Sequence, residues 1–161
     1  MRGLGRDFNF LLIARAVSII GDQTTLIALV FKVKEHGSWA TATLFGGTSI
    51  AMILSSSWVG KLIDRESAKK VMVITSLLQS IVCFALIYSN LFSSLALNIL
   101  LGLGQAVVIA ATGAWTPALV DKDQLGKAFG QMQVALSLAA LLGYGVGGLL
   151  VGKVGVNAAF V

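Results

Sequence analysis

The sequence alternates long apolar runs with short polar breaks. The first run covers residues 8–31 and gives way to a polar stretch at 32–38. The second, 39–62, ends in the densest charge cluster of the chain, residues 60–70. Beyond it come a run at 71–88, the uncharged break Ser89-Asn90, and a run at 92–116 that Pro117 closes. Asp121 and Gln124 have the spacing of a helix capping box, so a helix is expected to restart there. The fifth run covers 129–151, and residues 156–161 read as the start of a sixth. A span of about 20 apolar residues is long enough to cross a bilayer. The pattern therefore predicts an all-α membrane protein, a polytopic helical bundle of five full spans and the start of a sixth.

Composition agrees. Of 161 residues, 57% are hydrophobic and 12% charged, half the charge of a typical soluble domain at about 25%. Ala14-Arg15-Ala16 mimics the cleavage site of a leader peptide. The apolar run continues well past it, so a membrane span is expected instead. The net charge of +5 lies in the breaks and calls for no nucleic-acid partner. With the N-terminus inside, Arg2, Arg6, Lys61, Arg65, Lys69, Lys70, Lys122 and Lys127 fall on the cytoplasmic side, and Lys32, Lys34 and Lys153 outside. Eight against three predicts a cytoplasmic N-terminus. The single cysteine, Cys83, offers no disulfide or metal framework, and His36 beside Glu35 reads as a solvated loop residue. With no nucleophile–base pair or metal cluster, neither an enzyme nor a cofactor is expected.

Two spans carry polar stripes. Arg15, Ser18, Asp22 and Thr25 fall within about an 80° arc of the first. An ionisable group inside a membrane costs about 2.5–3.5 kcal/mol on insertion scales, so it faces protein or a wet cavity. One reading has Arg15 snorkel to the surface, with Asp22 a structural group near the far end. The other makes Asp22 a proton or cation site, with Arg15 a polar group of the same cavity. In the fourth span Asn98, Gln105, Thr112 and Thr116 fall within about a 40° arc, with Gly102 on the same face. They serve either as glue between helices or as a cavity wall. The similar stripes of spans one and four favour the wall, because many transporters repeat a three-helix unit in which those spans correspond. Gly143, Gly147 and Gly148 in span five suit close helix packing. Gly102-Leu103-Gly104 follows no strand and is no nucleotide fingerprint.

These segments in order resemble the N-terminal half of a major facilitator superfamily transporter, in particular the bacterial drug and macrolide efflux branch. The loop between spans two and three carries Gly60, Asp64, Arg65, Lys69 and Lys70, with Ala68 where the family has its first basic residue. Gly21-Asp22, Pro117-Ala118-Leu119-Val120, Asp123-Gln124-Leu125-Gly126-Lys127-Ala128 and Gly147-Gly148-Leu149 add to the likeness. Tyr144 follows Gly143 where the family often has Gly-Pro, and Asn98 stands where many members have Arg. The resemblance implies that residues 60–70 act as a conformational latch against a helix of a C-terminal half, since a helix N-terminus stabilises a carboxylate. It also implies proton-coupled efflux of drug-like or amphipathic small molecules across a bacterial inner membrane. A C-terminal half or second copy is then the expected partner. A structural fragment that transports nothing alone is the competing expectation.

Overall fold

The computed structural model describes residues 4–156 and Phe160. Five helices follow one another: α1 (Arg6–Val33), α2 (Ser38–Arg65), α3 (Ala68–Ile87), α4 (Leu91–Leu119) and α5 (Leu125–Lys153). They are 20–29 residues long, or about 30–44 Å at 1.5 Å per residue, and each is apolar enough to cross a membrane. Of the sixth segment, only Val156 and Phe160 lie among the described residues, and Arg2 lies outside them.

α1 packs chiefly against α5, while α4 lies between α2 and α3. A smaller α1–α4 seam joins the two groups. α4 is the most enclosed helix, with 39% of its most apolar stretch buried against 17–28% in the others. Its fully buried residues are small or β-branched, among them Ser94, Val108, Ala111 and Thr116, so neighbouring helices approach closely. Large apolar side chains point outward instead: Ile13 and Val17 on α1, Leu78 and Ile81 on α3, Leu138 and Leu142 on α5. This is the distribution expected when the surrounding solvent is hydrocarbon.

The breaks are short and locally specified. Gly37 adopts φ 93°, open to glycine, between a 3-10 turn (Lys34–His36) and α2. Asn90 caps α4, its Oδ1 accepting from the Ser93 N–H at 2.9 Å. Lys32 bridges α1 to α3: its Nζ donates to the Leu86 carbonyl at 2.6 Å and to Ser89 Oγ at 3.0 Å. An ammonium there satisfies a carbonyl at the C-terminal end of α3.

Three sequence expectations are corrected. α4 does not stop before Pro117 but runs through it to Leu119. A proline in the last turn forfeits one bond, to the Gly113 carbonyl, and little helix follows that could be broken. No side chain caps the restart at Asp121. The Gln124 N–H reaches the Asp121 carbonyl at 2.9 Å in a 3-10 turn, and α5 begins at Leu125, ahead of residue 129. The charged stretch at 60–70 is mostly helix: Lys61, Asp64 and Arg65 end α2, Lys69 and Lys70 begin α3, and only Glu66 and Ser67 intervene.

Candidate functional site

Asp22 of α1 faces α4. Its carboxylate accepts a hydrogen bond from the Gln105 amide, the one direct polar link across the α1–α4 seam among the described residues. The stripes on spans one and four thus meet. Beside this pair lies a cavity of about 140 Å³, lined by Asp22, Gln23, Thr25, Thr48, Gln79, Cys83, Asn98 and Gln105 and, over most of its surface, by apolar side chains such as Leu26, Leu29, Met52 and Leu101. The space takes several waters or a small polar headgroup. Among the described residues, Asp22 is the only charged one on the wall.

Several wall residues are held by neighbouring helices. Asn98 donates from Nδ2 to the Leu44 carbonyl at 2.9 Å and to Thr48 Oγ1 at 2.5 Å, so it joins α4 to α2 as well as lining the cavity. Gln79 of α3 donates to the Leu101 carbonyl at 3.3 Å. Gly102 lets α2 approach: a Cβ there would stand 2.6 Å from Thr48 Cγ2. Thr25 Oγ1 lies 3.9 Å from Cys83 Sγ. Gln23 Oε1 is buried with no protein partner. A buried acceptor left open costs about 1–3 kcal/mol, which a donating solute would recover.

Other expected site residues lie elsewhere. Arg15 is 3% exposed but is not on the cavity wall. It neither snorkels to the surface nor pairs with Asp22. Its guanidinium reaches Ser18 Oγ at 3.5 Å, and its Nε has no partner. Thr112 is off the wall too. Its hydroxyl donates to the Val108 carbonyl at 2.7 Å and faces Met72 Sδ at 3.8 Å, satisfying itself within its helix. Gly143 and Gly147 face α1, where added Cβ atoms would stand 2.7 Å from the Ile20 carbonyl oxygen and 3.0 Å from Thr24 Cα. Gly148 faces open space and packs against nothing among the described residues. Of the latch residues, Gly60, Asp64 and Arg65 are exposed. Lys69 Nζ sits 5.9 Å from the Trp115 ring centroid, and Lys70 pairs with Glu66 at 3.1 Å.

Sequence reasoning missed Gln23, Gln79 and Thr48. The two glutamines carried a readable signal, since each is an amide inside an apolar run. Thr48 carried none, because a threonine can bond its own helix, as this one does to Leu44.

Fold and cavity together define a polytopic membrane protein with a carboxylate on the wall of a cavity between its helices. The Major Facilitator Superfamily description matches residues 11–161, and the chain belongs to that family of membrane transporters. The five-helix bundle fits the N-terminal half of the family's fold. Its relatives include lysophospholipid transporters of Photorhabdus laumondii and Pectobacterium carotovorum. Each is 29% identical over 91% of this chain. The chain spans 37% and 36% of their lengths. These relatives belong with lipid transport rather than with the drug and macrolide efflux branch that the segments together resemble. No solved structure gives a significant match.

Proposed function

We propose that the bundle forms one side of a transport path for an amphipathic solute of the lysophospholipid class. Asp22 is its cation-recognition or proton-coupling carboxylate, and Gln23, Gln79, Asn98 and Gln105 are the neutral donors and acceptors around it. The observation that carries this reading is the Asp22–Gln105 contact at the wall of a cavity that is otherwise mostly apolar, a surface suited to a charged head and an apolar tail. A carboxylate in such a place costs stability, which marks it as a candidate for function. The chemistry of the relatives supports a solute with a charged head and an apolar tail. The N-terminus lies on the cytoplasmic side of a bacterial inner membrane in this reading, by the distribution of Lys and Arg.

Cys83, the only cysteine, reports on the cavity directly. A lysophospholipid added to the purified chain in a neutral detergent is expected to slow maleimide labelling of Cys83. Asp22→Asn is expected to raise the concentration needed by about tenfold or more. Protection that is equal in the two proteins removes Asp22 from recognition. A second reading is favoured by the chain's matching little more than a third of its relatives' length: the bundle binds solute without moving it. Vesicles holding only this chain separate the two, since flux of lysophospholipid between leaflets occurs under the first reading alone.

A further inference from the structure

Among the described residues, three charged side chains are not exposed: Arg15, Asp22 and Lys32. Lys32 lies at the far end of α1 and is committed to the Leu86 carbonyl and Ser89. Arg15 and Asp22 are then the two charges of those residues inside the bundle, one of each sign. They form no ion pair. Asp22 accepts from the neutral Gln105 amide. The Arg15 guanidinium has one protein partner, Ser18 Oγ at 3.5 Å, and its Nε has none.

The neighbouring helices bring Arg15 no counter-ion. Their inward residues are neutral: Thr112 and Thr116 of α4, Met132 and Ala139 of α5. Asp7, earlier on α1, is exposed. The carboxylate on Arg15's own face of α1 is Asp22, seven residues on and about 10 Å along the axis. A helical side chain leans by default toward the helix N-terminus. Arg15 instead reaches Ser18, three residues C-terminal, and so extends toward the layer of Asp22.

A charge in a medium of low dielectric acts at a distance. Arg15 therefore bears on the cavity without lining it. With the cavity empty, the charges of Arg15 and Asp22 sum to zero. A head that is only positive neutralises Asp22 and leaves Arg15 buried without an opposite charge. A head that is only negative does the same to Asp22. An uncompensated buried charge is the costly state. A head that carries both signs leaves the interior neutral, with its amine toward Asp22 and its phosphate toward Arg15.

We infer that Arg15 is a specificity-determining residue of this cavity: together with Asp22 it selects zwitterionic lysophospholipids over heads of a single charge. The inference rests on the transport-path reading of the cavity and adds the charge class of its solute.

Three single-chain probes with the same tail separate the charges. Lysophosphatidylethanolamine is a zwitterion, lysophosphatidylglycerol an anion, and an alkylamine a cation at pH 7. Each is added to the full chain in a neutral detergent, and the concentration that halves maleimide labelling of Cys83 is read. The zwitterion is expected to protect at about tenfold lower concentration than either charged probe, the effect of a unit charge across about 10 Å at an effective dielectric of about 20. Arg15→Gln is expected to turn the preference toward the amine, and Asp22→Asn toward the anion. Arg15→Lys is expected to keep the zwitterion first. The order of the probes is read within each variant, so a fall in the folded fraction, which weakens all three alike, does not mimic the effect. An unaltered protein that takes the anion or the amine as readily as the zwitterion overturns the inference. So does an Arg15→Gln protein that keeps the original order, since a merely structural arginine would leave the order alone. Absence of protection by all three probes overturns the transport-path reading and this inference with it, whereas protection without preference overturns this inference alone.

Discussion

α1 meets two neighbours in opposite ways. Against α5 it packs backbone to backbone: Gly143 and Gly147 leave no room for a Cβ, and Thr24 Oγ1 donates to the Gly143 carbonyl at 3.2 Å as well as to Ile20 in its own helix. Against α4 it stands off, and polar side chains meet around a cavity. In a membrane, apolar burial gives helices little reason to associate, so close contact and hydrogen bonds must do it. The α5 face uses closeness to fix α1. The α4 face uses sparse polar links that a solute or a proton can exchange for others. One helix thus has a rigid side and a responsive side.

The largest expected effect tests the rigid side. Gly143→Val puts methyl groups against the Ile20 backbone, which cannot rotate away, and is expected to cost about 3 kcal/mol of unfolding free energy in mixed micelles. Retained stability would mean that α1 and α5 are free to separate. Gln105→Leu tests the other side. It removes the only polar link across the seam among the described residues, and interhelical bonds of this kind average about 0.6 kcal/mol. A loss as large as that of Gly143→Val would erase the distinction between the two faces. Gly148→Ala, one residue beyond Gly147 but turned outward, is expected to change stability by less than about 0.5 kcal/mol. The same melting experiment reads all three, and a sizeable loss at Gly148 would show that a partner covers that face.

The spans were legible because a hydrocarbon solvent demands long apolar segments, a strong and simple signal. That Asp22 and Gln105 turn away from lipid was legible because a helical stripe of polar residues inside a membrane has few places to point, but their contact with each other was not. Arg15 and Thr112 lie on the same stripes yet miss the cavity, since a stripe gives direction around the axis but not depth along it. Arg15 is seven residues from Asp22, about 10 Å along the helix, and meets a different layer of the bundle. Gly148 meets no described neighbour for a related reason. Small-xxx-small spacing is met by Gly143/Gly147 and again by Gly148/Gly152, and only the approach of α1 decides which pair is used. Pro117 was read as a stop because proline breaks helices. One turn from the end it takes away one bond and the helix finishes its course.

The bond between Thr24 and Gly143 also sets a schedule. The two residues are 119 apart in sequence, and α5 is the main partner of α1. At a synthesis rate of about 5–20 residues per second, Gly143 is made roughly 6–24 s after Thr24. Through that interval the first helix, with Arg15 and Asp22 within it, must be sheltered by the insertion machinery or by the helices made between. Biogenesis of this protein is therefore a task of keeping its most polar helix waiting.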